Sequence, residues 1–184
     1  MNERYAGSII AVHWIMALLL AGLFCVGLYM ADLPISPWKL KIYSYHKWAG
    51  VTAFLLVLAR IVLRLRHGAP DLPATMSPAM QAAAKAAHGL LYVLMVCIPV
   101  SGWLMSSAKG FQTVYFGVLP LPDLLSKDKE LGDALAKVHQ ALAFTLAALV
   151  AGHALAAVKH QLIDKDALLL RMLPVRSAGR AGRH

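Results

Sequence analysis

The segment Val138–His160, VHQALAFTLAALVAGHALAAVKH, decides how this chain is read, because it is long and apolar yet carries His139, His153 and His160. His139 and His153 are fourteen positions apart, about 21 Å along a helix axis. Fourteen steps of about 100° end only about 40° short of four full turns, so both imidazoles lie on one helical face. One helix thereby presents a ligand-bearing side chain at each of two depths. Ionisable groups inside a bilayer are costly and face a functional interior rather than lipid, so this face is where the chemistry is sought.

The rest of the chain supplies the bilayer setting. Hydrophobic residues make up 59% of the sequence and charged ones 15%, with the apolar residues gathered in long runs. Four spans are expected, over about residues 8–30, 45–66, 83–107 and 135–162. The first run exceeds the apolar core of a cleaved signal peptide and contains His13 and Trp14, so it reads as a retained helix. Gly68, Pro70, Pro73 and Pro78 mark the loop after the second span, and Pro99 lies inside the third, where a kink is expected. The expected fold is all-α: an integral membrane four-helix bundle forming a single domain over 1–184, with a flexible basic tail over 174–184.

Four spans put both termini on one side. That side carries Arg4, Arg60, Arg64, Arg66, Lys85, Lys159, Lys165, Arg171, Arg176, Arg180 and Arg183, and the opposite side Lys39, Lys41, Lys47, Lys109, Lys127, Lys129 and Lys137. The excess of eleven over seven places both termini in the cytoplasm. The net charge of +9 is thus accounted for by topology, lipid headgroups and anionic cofactors, and no nucleic-acid partner is expected. Cys25 and Cys97 both sit in apolar runs, which argues against a structural disulfide. The Cys-x-x-Cys-His pattern for covalent haem attachment is absent. Any haem would be of b type, held by axial ligands and packing.

Two histidine pairs match in depth. His46, read as opening the second span, and His139, about one turn into the fourth, meet near the far face. His13 in the first span and His153 in the fourth meet near the cytoplasmic face. A six-coordinate haem takes two imidazoles, so the expected iron ligands are His13, His46, His139 and His153, serving two haem b groups. On the cytoplasmic side His13, His88, His153 and His160 are all near enough to be considered; the fourteen-residue spacing selects His153, and depth favours His13 over His88 as its partner, leaving His88 as a helix-end hydrogen-bonding group. Arg60 lies fourteen residues after His46 and so beneath it, placed to pair with a propionate of the cytoplasmic-side haem or, in the plainer reading, to reach the headgroups. Lys47 is the corresponding cation for the other haem.

Taken together, these segments resemble the bacterial cytochrome b561 family along nearly the full chain. The matching stretches are His13-Trp14, His46-Lys47-Trp48-Ala49-Gly50, the basic end from Arg60 to Arg66, His88-Gly89-Leu90-Leu91-Tyr92, Pro99 and Gly102-Trp103. The fourth span adds His139, His153 and His160, followed by Asp166 and Leu170-Arg171-Met172-Leu173-Pro174. The resemblance implies a di-haem b protein of the bacterial inner (cytoplasmic) membrane that carries electrons from a periplasmic donor, superoxide in some members, to ubiquinone. On that reading the far-side lysines gather superoxide. His160, seven residues beyond His153 on nearly the same face, serves a quinone together with Ser8. Outer-sphere electron transfer requires no catalytic base. Two other classes compete: a passive haem b relay subunit of a dehydrogenase or hydrogenase, and a histidine-bearing transporter or metal-binding membrane protein.

Overall fold

A computed structural model describes residues 4–68, 70, 76–166 and 168–173. It contains four long helices: α1 (Gly7–Asp32), α2 (Pro37–His67), α3 (Pro78–Ala108) and α4 (Lys129–Lys159). Each is long and apolar enough to cross a membrane, with α4 prolonged to Asp164 by a π-helical turn, His160–Asp164. Strands β1 (Val114–Tyr115) and β2 (Leu119–Pro120) form an antiparallel hairpin between α3 and α4, and a 3₁₀ turn, Leu169–Arg171, follows the π turn. The expected tail over 174–184 and the loop position Pro73 lie outside the described residues.

The helices run past the expected spans at most ends, for a local reason. Ser36 accepts a hydrogen bond from the Lys39 amide with Pro37 in the first turn, and Ser77 does the same for Met80 ahead of Pro78. Asp128 accepts from the Leu131 amide at the start of α4. These caps satisfy donors that would otherwise be orphaned, so helix begins in polar sequence well before the apolar run. Gly68, with φ of 69°, ends α2 in a backbone conformation that other residues rarely adopt, and its amide donates to the Arg64 carbonyl. His46 therefore does not open its helix: it lies nine residues inside α2 from Pro37, and His139 ten inside α4 from Lys129. Both ends lengthen together, so the two histidines remain at matched depth. α3 runs on through Pro99 without interruption.

The tight helix pairs are α1 with α2 and α3 with α4, with α2 and α3 in lesser contact. α4 meets α1 and α2 through side chains, among them the edge-on Phe24–Phe144 pair. Between the two histidine levels lies an apolar layer of Leu91, Leu94 and Leu146, packed by Leu20, Met95, Ile98, Leu142 and Leu149. Elsewhere few side chains are fully buried, Val57 being the one large example among the described residues. A water-soluble bundle of this size would hide more of its apolar side chains, so the exposed apolar faces are those suited to lipid.

Candidate functional site

Four histidines converge on the bundle axis in two pairs. His46 of α2 and His139 of α4 have ring centres 6.4 Å apart, and His13 of α1 and His153 of α4 have ring centres 6.5 Å apart. A metal between two imidazoles takes about 2 Å for each metal–nitrogen bond and about 1 Å more to each ring centre, about 6 Å in all. Both pairs have this spacing. His88 of α3 has its ring centre 5.3 Å from that of His153, short of this spacing, and lies beside the His13–His153 pair. His13 lies six residues in from the start of α1 and His153 six from the end of α4.

The two levels differ in how their rings are held. His139 Nδ1 lies 3.0 Å from the Ile98 carbonyl and 3.1 Å from Ser101 Oγ. A carbonyl only accepts, so Nδ1 carries the proton and Nε2 keeps its lone pair free for a metal. His46 Nδ1 is buried and has no partner. Gly102 makes room for one ring, since a Cβ there would sit 3.1 Å from His139 Cε1, whereas a Cβ at Gly27 would meet His46 Cε1 at an ordinary contact distance of 3.5 Å.

Arg60 stands at the near level, within electrostatic reach of His13, His88 and His153. Its Nε donates to the Tyr92 hydroxyl at 3.1 Å, while its Nη1 is buried with no partner. A buried guanidinium nitrogen left open is a place for an anion. Lys47, expected to be the equivalent group at the far level, donates to the Phe111 carbonyl at 2.8 Å. Of the other far-side lysines, Lys109 and Lys129 are both paired with Asp133, at 3.0 and 2.8 Å, which reduces the cationic field there.

His160 occupies the first position of the π turn, a helix irregularity frequent at functional sites. Its Nδ1 is 2.7 Å from Asp166 and 3.0 Å from Asp164, and Lys159 holds Asp164 from the other side at 2.7 Å. Ser8 is exposed in the first turn of α1, and no hydrogen bond joins it to His160. The chain then folds back on α1: Trp14 Nε1 donates to the Met172 carbonyl at 2.7 Å and Arg4 to the Leu173 carbonyl at 2.7 Å. The carboxylate partners of His160, this strap, and the contact of α3 with His139 had no signature in spacing alone, because each joins residues distant in the chain or across a break in helical period.

Comparison with known proteins gives the family. Residues 4–175 match the family described as prokaryotic cytochrome b561. Cytochrome b561 homolog 2 of Escherichia coli (strain K12) is 34% identical over 172 residues, covering 93% of this chain and 92% of that protein. The probable superoxide oxidase CybB of Yersinia pestis is 29% identical over 178 residues, covering 95% and 98%. Cytochrome b561 homolog 1 of Escherichia coli (strain K12) is 27% identical over 177 residues, covering 95% and 99%. Four membrane-crossing helices, histidines paired along their interior and a match over nearly the whole sequence make this chain a member of the prokaryotic cytochrome b561 family, haem b proteins of electron transfer.

Proposed function

We propose that the protein binds two haem b groups, one between His46 and His139 and one between His13 and His153, and passes electrons from superoxide on the periplasmic side to ubiquinone on the cytoplasmic side. The observation that carries the reading is the repetition of one ring spacing, 6.4 and 6.5 Å, at two levels of the same helix. The ring clearance at Gly102, the buried open Nδ1 of His46 and the open Nη1 of Arg60 suit a metal-bearing group with carboxylate arms. When bound, the haems supply reversible one-electron chemistry.

The chain's own part is positioning and charge. His139 is oriented by Ile98 and Ser101, and Arg60 offers its free nitrogen to a propionate at the near level. The apolar layer around Leu94 and Leu146 keeps water from the space between the levels. The exposed far-side lysines draw an anionic donor toward His46 and His139, in a field that Asp133 moderates. Quinone reduction consumes two protons for each quinone. His160, backed by Asp166 and Asp164, is the group that relays them one at a time from cytoplasmic water, with Ser8 offering a hydrogen bond to a quinone oxygen. The setting is the bacterial inner membrane with both termini cytoplasmic. The relative from Yersinia pestis named a probable superoxide oxidase favours superoxide as the donor.

The test is anaerobic mixing of purified protein with a superoxide source and a ubiquinone analogue, following the haem absorption bands and quinol. The expected result is superoxide-dependent haem reduction followed by quinol, with His160→Ala slowing the quinol phase and leaving the haem phase intact. Haem that superoxide leaves oxidised, but that a partner dehydrogenase or hydrogenase reduces, would establish the passive relay in its place.

A further inference from the structure

Three positions of α3, Ile98, Ser101 and Gly102, occur at the i, i+3, i+4 spacing of one helical face, and His139 rests on that face. We infer that this face is a shelf that fixes the proton and the position of His139 and so makes the two haem sites electronically unequal. The inference rests on the ligand assignment proposed above.

The shelf acts in three ways. The Ile98 carbonyl, 3.0 Å from His139 Nδ1, compels the tautomer with Nε2 unprotonated. Ser101, itself buried, donates to that same carbonyl at 2.7 Å and turns its remaining lone pair to Nδ1 at 3.1 Å, so the N–H is shared between two acceptors. Gly102 lets the ring approach the helix: a Cβ there would stand 3.1 Å from Cε1 and 3.3 Å from Nδ1, closer than the ring tolerates without moving. An imidazole that donates from Nδ1 is a more basic ligand through Nε2, which favours the oxidised metal. None of the other three paired histidines has a hydrogen bond at Nδ1 among the described residues, and that of His46 is buried and open. The axial ligand supplied by α4 at the far level is therefore the one strengthened by the protein.

Gly102→Ala separates this role from folding. A glycine in mid-helix is destabilising relative to alanine, so the substitution favours the helix while it crowds the ring and displaces it against its Nδ1 acceptors. Gly89→Ala in the same helix is the control, since a Cβ there meets nothing within 4 Å. The readout is a redox titration followed by the haem absorption bands, with low-temperature electron paramagnetic resonance of the oxidised protein. In Gly102→Ala one of two haem transitions moves to higher potential, or that haem is lost, while the other stays; Ser101→Ala displaces the same transition; Gly89→Ala matches the parent. Both transitions unmoved in Gly102→Ala and Ser101→Ala would overturn the shelf. A His139→Ala variant that still held two haems would instead overturn the ligand assignment beneath it.

Discussion

At the level of single residues, the difference between His13 and His88 carries the most meaning. Both lie beside His153, yet the 6.5 Å pair has the ring spacing of two imidazoles across a metal and the 5.3 Å pair falls short of it. Replacing His88 by alanine is accordingly expected to leave two haems in the purified protein, measured by pyridine haemochrome against protein concentration; loss of one would make His88 a ligand. Arg60 is the second informative residue, because its Nη1 is buried and unpartnered while its Nε is held by Tyr92. A positive charge near a haem favours the reduced, more negative state. Arg60→Leu is expected to lower one haem potential by an amount on the order of tens of millivolts, where about 59 mV is a factor of ten for one electron. Unchanged potentials in a titration would leave Arg60 as a headgroup contact. The four paired histidines were legible from the sequence because 3.6-residue periodicity and depth are both arithmetic. Asp164 and Asp166 as partners of His160 were not, since the π turn breaks the period on which that arithmetic depends.

At the level of elements, the apolar runs located four helices but not their ends. Hydropathy marks where lipid begins, whereas Ser36, Ser77 and Asp128 mark where the backbone amides are satisfied, and the two differ by up to two turns. The hairpin Val114–Pro120 escaped the reading altogether. It depends on Gly117, at φ of 73°, and on contacts with α2 that no local pattern encodes. Trp48 Nε1 donates to the Val114 carbonyl and Thr52 Oγ1 meets the Tyr115 hydroxyl at 2.9 Å, so α2 anchors the hairpin at the level just inside His46. Trp48→Phe keeps most of the apolar contact and removes one hydrogen bond, a change of about 1 kcal/mol. It is expected to raise amide hydrogen exchange across 111–121 while exchange in α4 stays the same. Equal exchange in parent and variant would show that the hairpin is held by something other than this contact.

At the level of the whole molecule, two tight helix pairs enclose an apolar layer between two histidine levels. That arrangement has a low-dielectric centre and charged groups toward its ends, which suits a route for electrons across a bilayer. The asymmetry of Lys and Arg predicts that reporter domains fused to either terminus are active only in the cytoplasm; a periplasmic reporter active at the C-terminus would invert the proposed direction of transfer. The central claim is that α4 carries one ligand for each of two haems. It is tested most directly by the haem-to-protein ratio of the parent, of His139→Ala, of His153→Ala and of the double variant. The account predicts ratios of two, one, one and none, on the order of one haem for each ring pair. A ratio that stayed at the parent value in either single variant would contradict it.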